Sequence, residues 1–149
     1  MIVASDLTTK HQSNALDKFA DDTYLIIPAS CVHSTEDELT NIENWAKENN
    51  LKLNRNKSKE MLFAPPKSKA QTFPPAIEGI ERVSQLKCLG VTFTPDFSFA
   101  THISNTISSC SSNLFALYCL RSKGLSDDLL HLIFQAATLS KLFYASSFW

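Results

Sequence analysis

Two adjacent carboxylates, Asp21 and Asp22, interrupt a run of strand-forming residues, and this arrangement constrains the fold more tightly than any other feature of the chain. Leu16 to Phe19 lies on one side, and Tyr24-Leu25-Ile26-Ile27 on the other, with Pro28 ending the run. The segment reads as two short strands about a tight centre, a hairpin that holds both carboxylates at the surface of a sheet. Side by side they repel and resist joint ionisation unless a cation sits between them. Mg²⁺ takes oxygen ligands, keeps waters and completes its shell from substrate phosphates. Nucleotidyl transfer uses two such ions about 3.5–4 Å apart, one lowering the pKa of the attacking hydroxyl and one steadying the leaving pyrophosphate. Asp21 and Asp22 are therefore candidate catalytic, metal-binding residues, although an Asp-Asp pair is also common as a plain surface turn.

Beyond the hairpin, Ser34 or Thr35 opens a helix, with Asp37 and Glu38 as capping-box partners. Leu39, Ile42, Trp45 and Ala46 form its apolar stripe, and Asn49-Asn50 should end it. Leu51 to Asn54 alternates as a short strand, and Lys59 to Ala64 as another. Pro65, Pro66, Pro74 and Pro75 bracket a polar loop, and Glu78-Gly79 reads as a hairpin turn between Ala76-Ile77 and the segment from Ile80 to Val83. Gln85 to Phe93 predicts a further strand, in which Gly90 marks a bulge or a close backbone approach. From about Phe97 the period becomes helical: Phe99, Ile103, Ile107, Cys110, Leu114 and Leu117 recur at three- and four-residue steps, and Gly124 is the expected stop. Ser126-Asp127-Asp128 starts another helix, whose stripe is Leu129, Leu130, Ile133, Phe134 and Ala137. The chain ends at Trp149 in a further apolar cluster, which leads us to expect missing partners downstream.

Charge is more informative in its distribution than in its sum of −1. Asp17 to Glu43 holds seven acids against one lysine, whereas Lys47 to Lys69 holds seven bases against two acids. An acidic site beside a basic stretch suits a metal centre next to a phosphate-bearing ligand. A basic run is also commonly just a solvated face. The four cysteines and four histidines show neither Cys-x-x-Cys pairs nor metal-ligand spacing, so the thiols read as idle or buried. Three glycines and no phosphate-loop or dinucleotide fingerprint argue against a nucleotide-binding loop. With no signal-peptide pattern and no apolar run near the ~20 residues of a membrane span, the expectation is an intracellular protein of cytoplasm or nucleus, neither secreted nor membrane-bound. A length of 149 residues fits one ordinary domain.

Ala4-Ser5-Asp6-Leu7 followed by Lys18-Phe19-Ala20-Asp21-Asp22-Thr23-Tyr24-Leu25-Ile26 is similar to the catalytic-hairpin region of reverse transcriptases of the non-LTR (LINE-like) retrotransposon kind. Trp45-Ala46, Asn50-Leu51-Lys52-Leu53-Asn54 and Lys57-Ser58-Lys59 resemble the helix-strand segment that follows in that family. Lys87-Cys88-Leu89-Gly90-Val91 resembles its primer-grip hairpin, and the stretch from His102-Ile103 through Leu125-Ser126 to Tyr144 looks like the start of its thumb. The pieces occur in order over nearly the whole chain.

The resemblance implies an α/β (α+β) fold. Residues 1–96 would be a partial polymerase palm, an antiparallel hairpin-rich sheet with one packed helix, and residues 97–149 the start of a helical thumb. It implies an RNA-directed DNA polymerase that uses Mg²⁺ or Mn²⁺, an RNA template, a DNA primer and deoxynucleotide triphosphates. Asp21 and Asp22 would bind metal, with Asp21 the more important, and Phe19 would shape the hairpin beside the primer end. Lys57 would lie near the incoming phosphates, although Lys52, Arg55 and Lys59 could serve equally. The backbone at Leu89-Gly90 would support the primer, the glycine permitting close approach. The family's third catalytic aspartate lies on a strand expected upstream of residue 1, and neither Asp6 nor Asp17 has its surrounding pattern. Two carboxylates cannot complete two metal shells, so the chain alone is expected not to polymerise, and the hairpin is expected to carry an unpaired edge. Two other readings stand beside this one. One is a non-catalytic nucleic-acid- or protein-binding module, and the other a degenerate transposon remnant.

Overall fold

The structure, a computed structural model, describes residues 6–64 and 73–148. Ala4-Ser5, the 65–72 part of the proline-bracketed loop with Lys67 and Lys69, and Trp149 lie outside the described residues. The chain divides into two compact units. The first comprises the described parts of Met1–Ser58 and Thr72–Ile80, and the second those of Lys59–Gln71 and Glu81–Trp149. The change of pattern near residue 97 falls inside the second unit.

In the first unit, β1 (Ala15–Phe19) and β2 (Asp22–Ile26) form the expected antiparallel hairpin, with Phe19 opposite Asp22 and Leu16 opposite Leu25. Alternation places Leu16 and Leu25 on one face, both half-buried, and Asp17, Phe19, Asp22, Tyr24 and Ile26 on the other. A 3₁₀ turn over Ala29–Ser34 then leads directly into α1 (Thr35–Glu48). Leu39 and Ala46 are buried and Ile42 and Trp45 half-buried, as the stripe predicts. The helix ends in a Schellman motif: Asn50 takes φ 55°, Asn50 N–H donates to Lys47 O and Leu51 N–H to Ala46 O.

The capping box does not form. Ser34 Oγ donates to Cys31 O at 2.7 Å, inside the preceding turn, and makes no cap bond to α1. Glu38, only 1% exposed, instead accepts from Lys10 N–H at 2.9 Å, His11 N–H at 2.8 Å and Asn14 Nδ2 at 2.9 Å. Burial pushes the Glu38 carboxyl up, but these donors together outweigh it and hold the group below its ordinary range. Residues 10–14 run straight into β1, so a buried carboxylate fixes the base of the hairpin.

The strand expected over Leu51 to Asn54 is absent: Leu51 N–H is spent on closing α1, and an Asn54–Ser58 turn follows at once. In the second unit, the strand expected from Lys59 to Ala64 shrinks to β3 (Lys59–Glu60), paired in parallel with β4 (Glu81–Arg82). Gly79 does turn the chain, at φ 74°, but Glu81–Arg82 pairs with β3 and not with Ala76-Ile77. Side chains select this pairing, since Lys59 pairs with Glu81, and Arg82 grips Glu60 through Nε at 2.8 Å and NH2 at 3.0 Å.

Gln85 to Phe93 is not one strand with a bulge. It forms a hairpin of β5 (Leu86–Cys88) and β6 (Val91–Phe93), with Leu89 at φ 46° and Gly90 at φ 88° in the two-residue turn. Positive φ at both central positions is what a strand-matched hairpin turn requires. The long helix α2 (Ala100–Ser122) ends at Gly124 in a second Schellman motif, with Gly124 N–H on Arg121 O and Leu125 N–H on Leu120 O. Its buried line is His102, Thr106 and Cys110, while Ile107 and Leu114 of the expected stripe are exposed. The partner sets this phase: α3 (Asp127–Ile133) continues into a π-helical segment, Phe134–Leu139, where Ala137 O accepts from Asn113 Nδ2 and the buried Thr138 lies against Cys110. Of the stripe expected for α3, Leu129 and Ile133 are exposed and Leu130 and Phe134 half-buried. A short α4 (Ser140–Phe143) ends at Tyr144.

The architecture is thus α+β. Among the described residues, three separate two-stranded ladders, one of them parallel, replace the single hairpin-rich sheet expected. None of the described helices is long and apolar enough to cross a membrane, and all four cysteines are free thiols.

Candidate nucleic-acid and metal site

The β1–β2 turn consists of Ala20 and Asp21. Ala20 adopts φ 52°, a left-handed conformation that its Cβ disfavours. Asp21 occupies the second turn position and Asp22 opens β2, so the two carboxylates leave the tip from consecutive residues, both exposed. Tyr24, on the same face as Asp22, donates its hydroxyl to Asp22 Oδ2 at 3.2 Å. Phe19, opposite Asp22, is 60% exposed, so an apolar ring stands beside the acids in water. Lys18, on the other face, donates to Leu7 O at 2.7 Å and tethers β1 to the buried Leu7 segment. Neither outer edge of this hairpin pairs with another strand among the described residues.

The donor chemistry suits a hard cation, since both tip side chains are carboxylates and reach water without rearrangement. Among the described residues no group of three or more His, Cys, Asp or Glu side chains converges on a metal position.

Of the four basic candidates, two are engaged within the fold. Arg55 donates through Nε to Glu43 Oε1 at 2.8 Å and through NH1 to Glu78 O at 2.9 Å. The bond to Glu43 raises the guanidinium pKa further, with Glu43, Glu36 and Glu78 charges adding to it. Lys59 pairs with Glu81 across the parallel ladder. Lys52 and Lys57 are exposed and form no ion pair among the described residues. Lys57 sits in the turn that Asn54 caps, where its N–H donates to Asn54 O at 3.1 Å.

No protein-family model, curated protein or solved structure matches this chain.

The Leu89-Gly90 turn carries a contact that sequence reasoning missed. Tyr144 Oη donates to Leu89 O at 2.5 Å, and a Cβ at Gly90 would lie 3.1 Å from Tyr144 Cε1. The glycine does permit close approach, and what approaches in this structure is a tyrosine ring from 54 positions further along the chain (144 − 90). The isolated Gly90 signalled that something must come close. No local pattern pointed to Tyr144 as that partner.

Proposed function

We propose that this chain is a palm-and-thumb piece of an RNA-directed DNA polymerase of the non-LTR retrotransposon kind, with residues 1–96 belonging to the palm and 97–149 to the start of the thumb. The observation that carries the reading is the β1–β2 hairpin, which exposes Asp21 and Asp22 together at a two-residue turn beside Phe19. In the complete enzyme Asp21 and Asp22 would hold Mg²⁺ or Mn²⁺, whose chemistry is activation of the primer hydroxyl and neutralisation of the leaving pyrophosphate. Phe19 would flank the primer end, Lys57 and Lys52 would attract triphosphate charge, and the Leu89-Gly90 backbone would support the primer strand. RNA template, DNA primer and deoxynucleotide triphosphates are the corresponding ligands.

Mn²⁺ titration followed by NMR tests this directly. Paramagnetic broadening should start at the amides of Phe19 to Thr23 and vanish in the Asp21→Asn/Asp22→Asn double variant. Broadening centred on another acidic pair, such as Asp127-Asp128, would sink the proposal. A second reading, a non-catalytic nucleic-acid-binding module, draws support from the lack of a third converging carboxylate among the described residues. Salt-sensitive RNA binding that is unchanged by the same double variant would favour it.

A further inference from the structure

We propose that Tyr144 is a stacking platform for an unpaired nucleic-acid base, held at the tip of the β5–β6 hairpin. The inference rests on reading Leu89-Gly90 as a primer-facing turn and adds the side chain that would contact the base. Three observations converge on it. The ring is immobilised from two directions: its hydroxyl is bonded to Leu89 O and its Cε1 edge packs on the bare Gly90 backbone. The chain also changes course there, with Tyr144 at ψ 120° and Ala145 at φ 55°, so α4 stops at this residue and the ring stays at the end of the helix. Yet Tyr144 remains 53% exposed, flanked by Phe143 at 69% and Leu89 at 42%.

Other aromatic rings here, such as Phe115 and Tyr118, are as exposed, but Tyr144 is also fixed by its hydroxyl bond and its contact with Gly90. A ring tethered and still open to solvent is preorganised, and loses little rotamer freedom when a flat partner covers it. The residues of the β5–β6 turn and the strand leading into it point to the partner. Lys87, exposed and two residues before Leu89, has no ion pair among the described residues and supplies a cation for a phosphate. Gly90 offers no side chain to obstruct a sugar-phosphate backbone. A base on an aromatic face with a phosphate toward a lysine is the usual mode of single-strand recognition.

The test uses the 149-residue chain and a short fluorescent single strand, compared with the same strand carrying abasic positions. The base-bearing strand should bind the wild-type chain roughly 5- to 50-fold more tightly. Tyr144→Leu should erase that preference, and Tyr144→Phe, which keeps the ring, should retain most of it. As a check free of any folding defect, nitration of Tyr144 in the wild-type chain should be slowed by the base-bearing strand and not by the abasic one. An equal loss for both strands in Tyr144→Leu would mean a structural role and overturn the platform. So would an undiminished preference in that variant, or protection of Tyr144 only by a protein ligand. Failure of either strand to bind the wild-type chain overturns the platform and the nucleic-acid reading together. Binding with an unaffected preference overturns the platform alone.

Discussion

The two antiparallel hairpins are built to the same length of turn and secured at opposite ends. The β1–β2 hairpin is fastened at its base, where Glu38 gathers the Lys10 and His11 amides and the Asn14 side chain just before Ala15. Its tip carries Ala20 in a strained conformation, with Asp21 and Asp22 open to water. The β5–β6 hairpin is fastened at its tip by Tyr144, and its turn residues, Leu89 and Gly90, both take positive φ. A hairpin secured at its base leaves its turn available to a ligand. One secured at its turn presents a fixed surface. Under the proposed function, the first loop would gather ions and the second would support a strand.

The largest test of that contrast is Glu38→Ala. It strips three donors, one buried and two part-buried, of their acceptor and should cost about 3 kcal/mol of stability in the first unit, read as a lower melting midpoint by circular dichroism. The linked pH dependence has a definite sign. The folded Glu38 carboxyl lies below its ordinary value of 4.5, so the unfolded chain holds that proton more tightly. Its contribution is complete above about pH 4.5 and disappears as pH falls through the depressed value. Glu38→Gln should flatten that part of the acid limb of the stability profile.

Gly90→Ala comes next. It adds a Cβ at φ 88°, 3.1 Å from the Tyr144 ring. About 2 kcal/mol should be lost, with faster hydrogen exchange in β5 and β6 and no change at β1–β2. Tyr144→Phe removes only the bond to Leu89 O and should cost about 1 kcal/mol in the same assays. The smallest effect is a gain. Ala20→Gly relieves the left-handed turn and should raise stability by about 0.5 kcal/mol, since part of the relief is offset by the greater freedom of glycine in the unfolded chain. A loss at position 20 would mean that the tip is held by more than its own backbone.

What was legible in the sequence was local. The β1–β2 hairpin follows from bulky residues on both sides of Asp21-Asp22, α1 from the spacing of Leu39, Ile42, Trp45 and Ala46, and both helix stops from Asn50 and Gly124. What was not legible depended on partners far along the chain. Glu38 sits where a capping box would place it, but backbone amides 27 and 28 positions earlier claim it. The phase of α2 is set by Thr92 N–H, which donates to His102 Nδ1, and further along by Thr138 and Ala137 O, so the buried line runs through His102, Thr106 and Cys110 and leaves Ile107 and Leu114 in water. β3 pairs with β4 because two ion pairs match across 22 positions, which no hydrophobic pattern encodes. At the candidate site the carboxylates were readable as a pair, whereas the engagement of Arg55 and Lys59 inside the fold and the arrival of Tyr144 at Gly90 were not.

The widened π-helical stretch between α3 and α4 acts as a counter for everything after it. A bond pattern that spans i to i+5 accommodates one residue more than an α-helix of the same rise. Relaxing Phe134–Leu139 to ordinary α-helix with no residue removed would turn Ser140–Phe143 by about 100° about the helix axis. Tyr144 would then sweep away from Leu89, and the hairpin would lose its latch although every side chain that forms it is still present.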